Sequence, residues 1–134
     1  PLGGAPGPFV QVSAGKEHAL GLRADGSVAC WGWNLDGQAP PEGVPGPFAQ
    51  VSAGDRHSLG LREDGSVACW GNNGHGQAPP EGVRGPFVHV SGGAVHSLGL
   101  REDNCSIACW GDDTDAQAPR RGIRGPFLIH STSG

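Results

Sequence analysis

The stretch Asp64-Gly-Ser-Val-Ala-Cys-Trp-Gly71 stands once more, unchanged, at 25–32 and returns in altered form at 103–111. A chain that repeats such a phrase is read first for its period. His18, His57 and His96 lie 39 residues apart, as do Phe9, Phe48 and Phe87, and Phe127 follows after 40. The extra residue falls in the turn, where Asp-Gly-Ser becomes Asp103-Asn104-Cys105-Ser106. The repeats therefore run 9–47, 48–86 and 87–126. Residues 127–134 open a fourth, and residues 1–8 are a linker or the tail of a preceding unit.

Within the second repeat, Phe48 to Ser52 reads as a strand and Ala53 to Arg56 as a glycine-containing turn. His57 to Arg62 reads as a second strand with His57, Leu59 and Leu61 on one face, because side chains alternate with period two. Asp64-Gly65 is a two-residue hairpin signal of the type I′ kind, and Val67 to Trp70 is the third strand. Ala78-Pro-Pro-Glu-Gly82 allows only a short, ragged fourth strand, since proline has no N–H to give to a ladder. Small residues (Gly60, Ala19 or Ser58, Ala29 or Ala68) face away from the large ones, as stacked sheets covered on both sides require. Short antiparallel strands at this period are the blades of a propeller. The expected fold is all-β: a partial, about three-bladed β-propeller with blades of three to four strands.

The residues that carry a family likeness are Val-x-Val-Ser-Ala-Gly-x-x-His-x-Leu-x-Leu at 10–22 and Asp-Gly-Ser-Val-x-x-Trp-Gly-x-Asn-x-x-Gly-Gln at 25–38, repeated along the chain. This pattern resembles the regulator of chromosome condensation repeat, a builder of seven-bladed β-propellers. Ala-Pro-Pro-Glu-Gly stands where that family usually has a Leu-Gly-x-Gly segment and a longer loop. In this shortness the chain is similar to the bacterial beta-lactamase inhibitory proteins of the same fold. The resemblance implies protein partners such as small GTPases, ubiquitin-pathway proteins or enzymes under inhibition.

Composition narrows the function further. Twenty-five glycines and twelve prolines recur at fixed places between apolar runs, so they are turn chemistry. The net charge of -4 and the lack of a basic stripe argue against nucleic acid, with Arg120, Arg121 and Arg124 as a local exception. No run of about 18 apolar residues is present to span a membrane. Blade spacing of about 10 Å separates His18, His57 and His96 too far to share a metal, and the expected role is structural, an imidazole tying one loop of each blade to a backbone group. The same spacing keeps Cys30, Cys69 and Cys109 from pairing. Cys105 is too far from Cys109 along an extended strand, so four thiols are expected, which leans towards a reducing compartment in a chain whose localisation is otherwise undetermined. The acidic run Asp112, Asp113 and Asp115 lacks the spacing of a calcium loop. No nucleophile elbow, phosphate-cradling glycine loop or His-Glu-x-x-His occurs, so no catalytic residue, cofactor or metal site is assigned.

Differences between repeats are more telling than their sameness. They cluster at Lys16-Glu17, Asp55-Arg56 and Ala94-Val95, and at Trp33 to Asp36, Asn72 to His75 and Asp112 to Asp115. The first group joins strands one and two, the second follows strand three, and an up-and-down blade brings both to one end. That end is the expected partner-binding face, built from Trp33, Leu35, Asp36, Lys16, Glu17, Asp55, Arg56, Asn72, His75, Asp112 and Asp113. Trp33 is its anchor, a large aromatic in a loop where the other repeats have Asn72 and Asp112. The function read from this is a non-catalytic protein–protein interaction module. The alternative is a structural accessory subunit, an incomplete propeller held permanently in a large, for example organellar, complex. Closed propellers need about four to eight blades, so the exposed blade faces call for another subunit, a second copy or the remainder of a ring.

Overall fold

The computed structural model describes residues 8–102 and 106–111. Three antiparallel sheets follow one another: β1 Phe9–Ala14, β2 His18–Arg23 and β3 Val28–Gly32; β4 Phe48–Ala53, β5 His57–Arg62 and β6 Val67–Gly71; β7 Phe87–Gly92, β8 His96–Arg101 and β9 Ile107–Gly111. Each sheet is an up-and-down meander with its middle strand between its neighbours in sequence. The register is the same in all three, with Leu20 opposite Cys30, Leu59 opposite Cys69 and Leu98 opposite Cys109. The fold is a partial, three-bladed propeller.

Two local expectations are corrected. The fourth strand is a single bridge, Val28 to Val44 in the first blade and Val67 to Val83 in the second, one residue beyond the proline-rich segment expected to form it. Pro79 and Pro80 have no N–H to pair, so pairing waits for Val83. The Asp-Gly turn is a three-residue loop and not a two-residue type I′ turn. Gly26 N–H donates to Arg23 C=O, and Arg23 N–H donates to Ser27 C=O, both at 2.9 Å, with Gly26 at φ 88° as the bulge. Asp25 holds this loop by accepting from both the N–H (2.9 Å) and the hydroxyl (2.7 Å) of Ser27. Those bonds hold its carboxyl below the usual range.

The core lies between blades, not within them. Leu20, Leu22, Val28, Cys30 and Ala39 of the first blade receive Phe48, Val51 and Ala53 of the second, with Trp70 against the cluster. Leu59, Leu61, Val67, Cys69 and Ala78 receive Phe87, Val90 and Ala108 of the third in the same way, with Trp110 alongside. Gly60 is required by this packing, since a Cβ there would come within 2.7 Å of the Phe48 ring. Where no neighbouring blade is described, the same positions are open. Val12 is 64% exposed, whereas its equivalents Val51 and Val90 are at 0% and 2%.

Side chains of one blade also bond the backbone of the next. Gln11 spans the gap between inner strands, with Nε2 donating to Val51 C=O and Oε1 accepting from Val51 N–H, both at 2.9 Å. Ser13 Oγ accepts Ala53 N–H, and Ser52 Oγ accepts Gly92 N–H. In the third repeat His89 takes the glutamine position, and its Nδ1 accepts from Gln50 Nε2 at 2.8 Å.

The histidines are part of this seam. His18 and His57 reach a hydroxyl of the following blade: His18 Nε2 lies 2.9 Å from Ser58 Oγ, and His57 Nε2 lies 2.9 Å from Ser97 Oγ. Ser58 gives its only proton to Gln38 C=O at 2.9 Å, so the histidine bond comes from Nε2–H. Trp70 Nε1–H donates to the same carbonyl at 3.1 Å. Nδ1 of His18 and His57 is buried without a partner, an environment that disfavours a proton there. Burial lowers the pKa of His18, and burial together with the neighbouring His18 pushes His57 down to about 4.

Two outcomes follow for stability. The unfolded chain takes up the His57 proton near pH 6.5 and the folded one only near pH 4. The stabilisation is thus complete above about pH 6.5 and is lost as pH falls towards 4, amounting to on the order of 3 kcal/mol for this residue. Thermal melts between pH 7.5 and 4 will show that decline, and His57→Asn will flatten it. Ser58→Ala strips the acceptor from His18 Nε2–H while leaving Trp70 on Gln38 C=O, and urea titration will register a loss of about 1–3 kcal/mol.

Candidate functional site

The β1–β2 and β4–β5 loops meet the segments that follow β3 and β6 at one end of the blades. Trp33 N–H donates to Glu17 C=O and Asn72 N–H to Arg56 C=O, both at 2.8 Å. At the opposite end the Asp-Gly loops are taken up by the next blade, as Phe48 N–H bonds Gly26 C=O and Phe87 N–H bonds Gly65 C=O, also at 2.8 Å. The variable loops of the first two blades therefore share an end, and their Asp-Gly turns serve the scaffold.

The loops at this end are fixed by bonds of their own. Asn34 Oδ1 accepts Ala39 N–H, and Asn73 Oδ1 accepts Ala78 N–H, both at 2.9 Å, so each asparagine fixes a loop from within. Gln38 and Gln77 close the loops from beneath, accepting Asp36 N–H and His75 N–H at 2.9 Å. Both glutamines are fully buried, while the residues above them are not. Trp33 is 48% exposed and Leu35 79%.

A cleft of about 260 Å³ crosses all three blades at this end. Lys16 comes from the first, Asp55, Arg56, Asn72 and His75 from the second, and Ala94 and Val95 from the third, with Gln77 below. Five of the residues singled out in the sequence thus line one depression: Lys16, Asp55, Arg56, Asn72 and His75. Glu17 is exposed and is joined to Trp33 through its carbonyl, and Asp36 is half-buried on the same loop as Trp33 and Leu35. Asp112 and Asp113 lie outside the described residues. Sequence reasoning did not find Gln77 as a lining residue, because Gln38 and Gln77 are the same in both repeats and only differences were weighed.

The cleft gathers two cations, a carboxylate, an imidazole and an amide around a polar floor. Its groups from the second blade come from loops that are tied to each other through Asn72 N–H and Arg56 C=O. Among the described residues no cluster of three or more metal-ligating side chains occurs. Cys30 and Cys69 lie elsewhere, between the blades, where burial pushes their thiols up to about 11 and about 12. No described helix is long and apolar enough to cross a membrane.

These features define the class: a stack of propeller blades carrying a variable loop end. The sequence profile of the regulator of chromosome condensation (RCC1) repeat matches residues 9–38 and 48–77, most of the first two blades. No curated protein matches the chain in sequence. Among solved structures it is similar to the ectodomain of the Physcomitrella patens receptor kinase CR4, with 33% identity and a TM-score of 0.68 over 87% of this chain and 35% of that one. It is also similar to the CRINKLY WD40 ectodomain of the Arabidopsis thaliana receptor kinase ACR4, with 29% identity and a TM-score of 0.64 over 85% and 40%. Yeast RCC1 (Prp20), solved with Kap60 bound, shares the fold at 19% identity and a TM-score of 0.67 over 87% and 35%. The chain spans about a third to two-fifths of the length of these structures.

The buried thiols give a check on the site's separation from reactive chemistry. Cys30 and Cys69 will resist alkylation by iodoacetamide at pH 8 in the native protein and react within minutes in denaturant. Rapid native labelling, read by peptide mass spectrometry, would contradict their placement between blades.

Proposed function

We propose that this chain is a non-catalytic protein–protein interaction module that engages its partner with the loop end of the blade stack. The observation that carries the reading is the cleft that draws Lys16, Asp55, Arg56, Asn72 and His75 from two blades into one depression, with Trp33 and Leu35 exposed at the same end. Loops vary there on a scaffold whose other end is occupied by blade-to-blade bonding, which leaves one end for recognition. The solved relative from yeast supports the class, since it was crystallised with a protein, Kap60.

A second reading has its own support. Val12 is open where Val51 and Val90 are covered, and Leu98, Leu100, Ile107 and Cys109 are half-buried where Leu20, Leu22, Val28 and Cys30 are buried. Among the described residues each end blade thus has a core side that no described sheet covers, which is consistent with an accessory subunit seated in a larger assembly. Another subunit, a second copy or further blades would each fill it. A monomeric solution mass with a cooperative melt favours the interaction module; insolubility or unfolding of the isolated chain favours the accessory subunit.

Site-specific photocrosslinking tests the loop-end reading. A benzophenone amino acid placed at Leu35 will give discrete protein adducts in cells, and the same group at Ala24, on the opposite end, will not. Adducts from Ala24 and none from Leu35 would assign recognition to the turn end.

A further inference from the structure

Trp33 and Asn72 hold the same place in successive repeats, and their backbones are fixed alike, by Glu17 C=O and Arg56 C=O at 2.8 Å. They differ in what they do for the glutamine beneath. In the second repeat Gln77 is satisfied on both sides, with Oε1 accepting His75 N–H and Nε2 donating to Asn72 Oδ1 at 3.2 Å. In the first, Gln38 Oε1 accepts Asp36 N–H, but Nε2 is buried with no partner. An indole has no oxygen to offer, so the tryptophan leaves a buried donor unsatisfied. Packing does not explain the exchange either, since Trp33 remains 48% exposed beside Leu35 at 79%. The scaffold would be better served by asparagine.

The surroundings give the chemistry of what Trp33 meets. Its backbone is tied through Glu17 to the loop that carries Lys16, and Lys16 lines the cleft with Arg56 and His75. Lys16 belongs to the same blade as Trp33 and Leu35, whereas Arg56 and His75 come from the next, about 10 Å on, so the exposed apolar pair shares its blade with one end of the cleft and the second cation stands one blade away. Asp55 is the one carboxylate among the residues lining that cleft. We infer that Trp33 and Leu35 form an anchor, at the expense of Gln38, for a protein partner that presents an apolar side chain and, within one blade spacing of it, a carboxylate for Lys16 and Arg56. This rests on the loop-end reading. Aromatic anchors supply the contact area in such interfaces, and complementary charge sets register and partner choice.

The test has two arms. Trp33→Asn restores the acceptor beside Gln38 Nε2 and will raise the melting temperature by about 4 °C or more, while the mirror change Asn72→Ala will lower it. A Trp33→Asn protein that melts at or below the wild-type temperature overturns the claim that the tryptophan burdens the scaffold. For binding, the probe is a phage-displayed library of disulfide-closed twelve-residue loops selected on the wild-type protein. Selected loops will combine Phe, Trp or Leu with Asp or Glu. They will lose tenfold or more in affinity against Trp33→Asn and against Lys16→Glu/Arg56→Glu. Loops that bind the loop end yet tolerate Trp33→Asn, or that carry no carboxylate, overturn this inference alone. Loops blocked by changes at Ala24 or Glu63 instead would remove the loop-end reading with it.

Discussion

One relay of hydrogen bonds holds the blades to each other: His18 Nε2–H to Ser58 Oγ, Ser58 Oγ–H to Gln38 C=O, and Trp70 Nε1–H to that same carbonyl. It recurs one blade on as His57, Ser97, Gln77 and Trp110. The relay couples the middle strand of one blade, the middle and third strands of the next, and the loop that returns from the first. Its members sit at the boundary between the buried apolar clusters and the loop end. The same bonds that lock two sheets therefore also fix the floor of the cleft. Because each group has a single geometry in which it is satisfied, the blades meet in one register.

The repeat period, the strand positions and the alternation of large and small residues were legible in the sequence, because each follows from side-chain periodicity and from the φ angles open to glycine. The seam was not. Ser58 and Ser97 read as small residues that merely make room, and nothing within one repeat shows that a serine's partner stands about 40 residues away. The serine partner of each of His18 and His57 was missed for the same reason, since it stands 40 residues away in the next blade. The Asp-Gly turn was mistyped because its geometry is decided by the Ser27 and Ser66 bonds to Asp25 and Asp64, which outweigh the two-residue preference of the dipeptide.

The candidate site was legible as a set of positions but not as a shape. Comparing repeats picks out Trp33 against Asn72 and Lys16 against Asp55, and up-and-down topology places both groups at one end. That Lys16 reaches a cleft with Arg56 and His75 of the next blade depends on how blades stack. The orphaned Gln38 amide was likewise invisible, since it needs the knowledge that Asn72 bonds Gln77 across five residues. The difference between two repeats acquires physical meaning only once the bond made by one of them is known.

The side-chain bonds between blades join residues 20, 32, 33, 39 or 40 apart, so each blade is held by its immediate neighbours and by nothing further away. Such a body has no single keystone. Pulled from its two ends, it would pass the load along the stack and open seam by seam, surrendering a whole sheet at each step while the remaining pair stayed closed. The molecule is mechanically a short chain of links rather than a block.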